Sequence, residues 1–446
     1  MEEVLRRALD EHVSLTRFLY ADHGGIIRGK AAATARLAER IESGIGHTRA
    51  MMAMSMMDEL SAVDGMGPVG EVRIKPDIST FTPLPYAPGA AAMLADQVLP
   101  DGAPWDGCAR TLLKQAISDL ADEGYELRAS FEPEFTLGHR EGHESAALRP
   151  IDESLCYSST GFHLAHDYTI DLVAALNEQG LEVEHYYPEL GHGQQEVPIR
   201  YAAALRAADN HVLLRETVRG VAIRHGLWAS FAPKPFPDQA GNGAHLHASL
   251  WRDGANAFVD PNGRFGMSTV GYRFLAGVLA HLPALVALTC GSVNSYRRLV
   301  PRTWSGAFTC WGPDNREAAV RVCSPIGAHG SVNLEFKPSD SSGNPYLALG
   351  GFIYAGLDGL RRCLSPPEPL SVDPAVLSPA ERSELSVSPL PSSLSEALNA
   401  LEADSVLMSA LGSPRSTAYL AVKRSEVTHF AKHDAAYECY HHWMKF

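Results

Sequence analysis

Residues 126–138 read ELRASFEPEFTLG, and the core of that run is Phe131-Glu132-Pro133-Glu134-Phe135. Apolar residues alternate with polar ones, which predicts a strand. Side chains at i and i+2 of a strand project to one face, so Glu132 and Glu134 face the same way. Two carboxylates on one face of an apolar strand repel each other and resist burial unless a cation sits between them. The plainer alternative is an edge strand with both glutamates in water.

Three further stretches carry the same chemistry. PELGHGQQEV (188–197) sets Glu189 and Glu196 on either side of a Gly-rich turn, so a hairpin can bring them together. GNGAHLHASL (241–250) places His245 and His247 on one strand face, and SVNLEFKPSD (331–340) does the same for Glu335 and Lys337. Hard oxygen ligands with one or two imidazoles suit Mg²⁺ or Mn²⁺ better than a thiolate zinc site. A pair of such ions is a known support for phosphoryl transfer.

The 446 residues carry 45% hydrophobic and 20% charged side chains, an ordinary globular balance, with a formal net charge of -14. That charge argues against non-specific nucleic-acid binding, which needs clustered Lys and Arg. Seven cysteines lie scattered with no C-x-x-C pair, as expected of reduced thiols in a cytoplasmic protein. MEEVLRRALDEH at the start is charged and helical in pattern, unlike a signal peptide. The longest apolar stretch, Phe274 to Thr289, is broken by His281 and Pro283 and is too short to span a membrane.

Apolar spacing over residues 3–19 is helical, and TRFLYAD and GIIRGKAA read as strands around a Gly-Gly turn. The loop DQVLPDGAPWDG divides residues 1–103 from 104–446. Helices are predicted over Cys108–Glu123, closed by Gly124, over 163–180, and over 204–226. LEVEHYYPELGHGQQEVPIRY reads as strand, turn and strand. The Pro- and Ser-rich segment 364–393 reads as an exposed excursion within the second domain.

The motifs FEPEF, PELGHGQQE, FAPKPF, GNGAHLHASL, NSYRRLVP, NREAAVRV and LEFKPSDSSGNPYLALGG follow one another in the order found in the glutamine synthetase superfamily, which the chain resembles over nearly its whole length. The resemblance implies an α+β fold: a small β-grasp-like N-terminal domain and a large catalytic domain built on a curved antiparallel sheet with helices. It implies two or more Mg²⁺ or Mn²⁺ ions per site, ATP as co-substrate, and a dodecamer whose active sites lie between subunits. By motif position, Glu134, Glu189 and Glu196 would hold one ion, and Glu132, His245 and Glu335 the other. Glu184, His247 and Ser249 match ATP-contacting positions. Arg316 and Arg321 match arginines that grip phosphate, with Arg316 and Arg298 as the catalytic pair. Arg298, Gly241 and Lys337 match glutamate contacts. The implied chemistry is glutamate activation to γ-glutamyl phosphate, followed by displacement of phosphate by an amine.

The departures from that pattern concern the amine. Where ammonia-using members carry a D-G-S-S motif, this chain reads GIGHTRAMMAMSMMD, with Thr48 at the aspartate position and His47 beside it. The flap after NSYRRLVP reads PRTWSG, with Trp304 where a glutamate is usual. Ala240 stands for an asparagine and Lys337 for an arginine, both normally near glutamate. Thr48, His47 and Trp304, with the methionine run 51–57, therefore mark the amine pocket, completed by residues 45–60 of a neighbouring subunit. Trp and Met surfaces favour an alkylamine or arylamine, and an indole face also suits a cation. The methionines serve equally well as buried packing. The rival readings are glutamine synthetase using ammonia and a catalytically silent structural relative.

Overall fold

The β-branched and aromatic run LTRFLYA forms the strand Leu15–Ala21. It pairs antiparallel with Ile27–Ala33 and parallel with Ala90–Val98. The computed structural model that shows this describes residues 1–140, 148–324 and 332–446. Glu71–Pro76 lies antiparallel on the far side of Ala90–Val98, and Ile45–Thr48 completes that edge. With the helix Leu37–Ser43 this is the β-grasp-like arrangement expected of the N-terminal domain. The helical spacing over residues 3–19 is only partly realised. The helix stops at Asp10, His12 turns the chain at φ 55°, and the following residues gain more by pairing in the sheet.

The second domain is built around the strand Glu126–Arg140, 15 residues long. In spatial order its sheet runs Trp311–Pro313, Val320–Cys323, Asn333–Phe336, Ala244–Arg252, Glu126–Arg140, Gln194–Glu196 and Tyr187–Pro188. Neighbours on this path are antiparallel except the first two strands, which are parallel. Pro133 is tolerated inside the long strand because it falls in a gap. On that side Gln194–Glu196 pairs with residues 134–136, and Ala202–Ala203 pairs with 128–129. A missing N–H there removes no ladder bond.

The predicted helices form as Ala109–Asp122, His166–Glu178 and Ala204–Arg224. A buried guanidinium ties the first and third of them to the first domain. Arg110 makes a two-pronged contact with Asp209 (3.0 and 2.8 Å) and also reaches Asp77, just past the strand Glu71–Pro76, and Asp96 in the strand Ala90–Val98. The apolar stretch over 274–289 becomes two helices, Thr269–Ala280 and Leu282–Thr289, bent by 78° and largely buried. Among the described residues no single helix is long and apolar enough to cross a membrane. Segment 364–393 folds back on the sheet edge, where Leu370 and Val387 pack with Ala307, Phe308 and Cys310.

Candidate active site

Strand register assembles the acidic cluster. Glu196 lies opposite Glu134, His245 opposite Glu132, Glu335 opposite His247, and Arg321 opposite Glu335. Since Glu132 and Glu134 share a face, the whole row shares it. A slip of one residue in any strand would turn its members to the other side. This face floors a cleft of about 820 Å³. Its lining includes Glu132, Glu134, Glu189, Glu196, His245, Glu335, Arg298, Arg316, Arg321, Lys337, Gly241 and Trp304. Gly193, at φ 67°, makes the hairpin that brings Glu189 round to Glu196, and a side chain there would strike the Leu137 carbonyl at 2.4 Å.

The cluster has two electrostatic halves. Glu134, Glu189 and Glu196 have no Lys, Arg or His ion-pair partner among the described residues. Glu134 accepts from Gln194 Nε2 (2.7 Å) and from the Gly243 N–H (2.9 Å), and Glu196 accepts from the Tyr187 hydroxyl. Burial and then the neighbouring Glu134 push Glu189 up to about 7. Burial, Glu134 and Glu132 push Glu196 well above the carboxylate range. Three acids crowded without a counter-charge fit a divalent cation, whose arrival removes both causes.

The other half is neutralised from within. Glu335 lies 3.1 Å from Lys337 Nζ, 2.9 Å from Arg321 Nε and 3.2 Å from His245 Nδ1. His247 Nε2 lies 3.1 Å from Glu132 Oε2. Burial alone would raise Glu132, but His247 outweighs it and holds the carboxyl below its ordinary range. Lys337 and His245 likewise outweigh burial and hold Glu335 well below it. Burial and Lys337 push His245 down, keeping the imidazole neutral, the form that ligates metals. Glu132, His247 and Glu335 bring one ligand atom each within 4.8 Å of one another. In this geometry, then, the imidazole that closes the compact trio is His247, while His245 sits between Glu335 and Arg298 Nη2 (3.2 Å).

A model of the glutamine synthetase catalytic domain matches residues 106–442, and one of the N-terminal domain matches residues 1–105. The chain belongs to the glutamine synthetase family. It is 40% identical over 413 residues to the gamma-glutamylpolyamine synthetase GlnA3 of Streptomyces coelicolor, covering 91% of this chain and 88% of that protein. It is 33% identical to the glutamine synthetase of Methanocaldococcus jannaschii, covering 96% and 94%. Among solved structures, a novel glutamine synthase homolog superposes with a TM-score of 0.87 at 34% identity, covering 97% of this chain and 99% of that one. GmaS with ADP superposes at 0.86 and 30% identity, covering 98% of each.

Not every residue picked out by resemblance to the glutamine synthetase family reaches the cleft. Glu184 is exposed on the approach to the hairpin, and Ser249 is buried, accepting from Trp251 Nε1 at 3.0 Å; neither lines it. His47 turns into the N-terminal domain, 7% exposed, against the Tyr20 ring and 3.4 Å from Gln97 Nε2. Thr48 binds the Gly67 carbonyl (3.1 Å) and caps its own short helix. Within one chain neither meets the cleft. Of the methionines, Met52 and Met56 are core residues, at 0% and 2% exposure. The cleft also has lining residues that the motifs do not single out. Tyr157 at φ 57° has its hydroxyl 3.5 Å from Glu189, and Cys156, Tyr187, Gln194 and Gln239 join it. Of these only Gln194 and Tyr187 carry a signal, each two positions before a cluster acid, Glu196 and Glu189.

A proton on Glu189 would compete with a cation held among Glu134, Glu189 and Glu196 for the same oxygens. Apparent Mg²⁺ affinity should therefore fall as the pH drops below about 7, and binding above that pH should release fewer protons than binding below it. Calorimetric titration in two buffers of different ionisation enthalpy measures both. Affinity flat from pH 6 to 8 would remove Glu189 from the ligand set.

Proposed function

We propose that the chain is an ATP-dependent ligase joining the γ-carboxyl of glutamate to an amine other than ammonia, with alkylamines and arylamines favoured. The observation that carries this is the wall of the cleft. The Trp304 indole lines it while remaining 52% exposed, with Tyr157 and Ala240 alongside. A small cation needs anions close by, whereas aromatic faces suit an apolar or extended body. The 40% identity to a gamma-glutamylpolyamine synthetase points the same way.

Arg298 would hold a carboxylate of glutamate beside Gly241. A side chain at Gly241 would meet the Pro233 carbonyl at 2.4 Å and Arg298 Cβ at 3.0 Å, so only glycine lets the backbone pack this closely against Arg298. Arg316, exposed at the cleft, and Arg321, paired with Glu335, would meet the phosphates. Glu134, Glu189 and Glu196 would hold one divalent cation, and Glu132, Glu335 and an imidazole of the His245/His247 pair a second; when bound, such ions supply positive charge against the phosphates. The γ-carboxylate oxygen attacks the γ-phosphorus and ADP leaves. The amine nitrogen then attacks the acyl carbon, phosphate leaves, and the amine loses a proton. By motif position Glu184, His247 and Ser249 would contact ATP, from outside the residues that line the cleft.

The exposed Tyr157 and Trp304 at the cleft suit a neighbouring copy that brings Thr48 to the pocket in a dodecamer. Mass photometry finding a monomer in active preparations would refute that. A cytoplasmic setting fits ATP use and seven unbridged cysteines.

Phosphate release with glutamate, ATP and Mg²⁺ tests the reading against ammonia, alkylamines, polyamines and anilines. An organic amine should exceed ammonia in kcat/KM by at least about tenfold, one hydrophobic or cation–π contact's worth. Ammonia turning over as well as the best amine would return the protein to the glutamine synthetases proper. Trp304→Glu should move the preference toward ammonia, and an unchanged ratio would take Trp304 out of the pocket.

A further inference from the structure

The flap that carries Trp304 is held in an unfavourable backbone shape. Arg302, Trp304 and Gly306 all have positive φ, at 63°, 54° and 73°. Left-handed backbone is disfavoured for side-chain-bearing residues, most of all bulky ones, and persists only where the surroundings impose it. Two neighbouring N–H groups in such a bend converge on one point and form an anion-binding concavity. Here a carboxylate of the same chain fills it. Glu317 Oε1 accepts from the Trp304 N–H at 2.9 Å, and Oε2 accepts from the Arg302 N–H at 3.3 Å.

Glu317 is itself anchored. Its N–H donates to Asn315 Oδ1 at 3.1 Å, and Asn315 Nδ2 donates to the carbonyls of Leu370 (2.9 Å) and Val372 (3.1 Å). Thr303 and Ser305 complete the flap from within. Both hydroxyls donate to the Val300 carbonyl, at 2.7 and 3.0 Å. The residue before Glu317 is Arg316, which lines the cleft, so one turn presents a cation to the site and an anion to the flap.

We propose that Glu317 is the latch of the 300–306 flap, a positioning residue that fixes Trp304 over the cleft and so sets which amines are accepted. The specificity half of this rests on the reading of the protein as an organic-amine ligase; the latch half does not. Without the carboxylate, two N–H groups lose their acceptor and the strained bend relaxes. Glutamine keeps one oxygen but turns an NH₂ toward the second N–H, so it restores the latch only in part.

Native-state trypsin cleavage after Arg302 reads the latch, and steady-state kinetics read its consequence. In Glu317→Ala, cleavage at Arg302 should speed up at least about tenfold, the equivalent of one hydrogen bond to a charged group, with Glu317→Gln in between. The KM for the preferred amine should rise about tenfold, more than the KM for ATP, and the amine-to-ammonia ratio should fall. Glu317→Gln carries the same test if the alanine variant does not fold. Unchanged cleavage at Arg302 overturns the latch. Faster cleavage with amine KM and the ratio unchanged overturns its role in specificity. If the wild-type protein prefers ammonia, the organic-amine reading fails with it, while the cleavage rates still decide the latch.

Discussion

Glu196→Gln should raise the melting temperature of the metal-free protein while lowering its ligase activity about 10³-fold. The two effects share one cause. Glu196 is 4% exposed, faces Glu134 across the strand pair, and is held well above the carboxylate range by burial and by two neighbouring acids. Removing the ionisable group removes that crowding, and relief of about 1 kcal/mol corresponds to a rise of about 1 °C in a protein of this size. On the proposed function the amide also removes an anionic metal ligand, and loss of several kcal/mol of charge stabilisation corresponds to about 10³ in rate. A carboxyl raised in the folded state keeps a proton that the unfolded chain loses at its ordinary value. Stability of the metal-free wild type should therefore fall as pH rises from the unfolded value of Glu189, 4.5, to about 7. Scanning calorimetry with EDTA and with Mg²⁺ checks the pattern. A Glu196→Gln variant that melts lower than wild type without metal would make the cluster an ordinary structural network.

Arg298→Lys should raise the KM for glutamate about 10²-fold and leave the KM for ATP nearly unchanged. Arg298 ends the short helix Ser295–Arg298 and is 5% exposed, yet it lines the cleft. Its Nη2 donates to the Lys337 carbonyl at 3.3 Å and faces His245, while its Nη1 is buried with no hydrogen-bond partner among the described residues. A buried donor left unmade costs about 1–3 kcal/mol, a cost that a bound carboxylate would remove. Lysine keeps the charge and loses the fork, so the variant separates geometry from charge. The loss of one or two charge-assisted bonds corresponds to about 10²-fold in binding. Equal rises in both KM values would mean that Arg298 holds the cleft together rather than the acid substrate.

Much of the architecture is legible in the order of residues. FEPEF alternates and does become the central strand, and the helices at 109–122 and 204–224 fall within two residues of their expected ends. Those features depend on local period, which the order of residues encodes directly. The N-terminal helix is shorter than its pattern suggests because apolar spacing from Val4 to Leu19 satisfies a helix and a strand in turn, and only the partner strand Ala90–Val98 decides where one yields to the other. Resemblance likewise nominates His47 and Glu184 by position, but position in a motif does not say which way a side chain turns.

By itself, then, the sequence determined the residue types available for metal and phosphate chemistry, the faces that Glu132, Glu134, His245 and His247 share along their own strands, and the family to which their order belongs. Only the tertiary structure decided how those faces combine. It split the acids into a bare trio and a pair neutralised by Lys337, Arg321 and histidine, brought His247 to Glu132, and hung the Trp304 flap on Glu317, 13 residues further along. Each of these is a contact between separate strands or loops. Such contacts are set by pairing register and by the packing of distant segments, and a side-chain period within one segment carries no information about either.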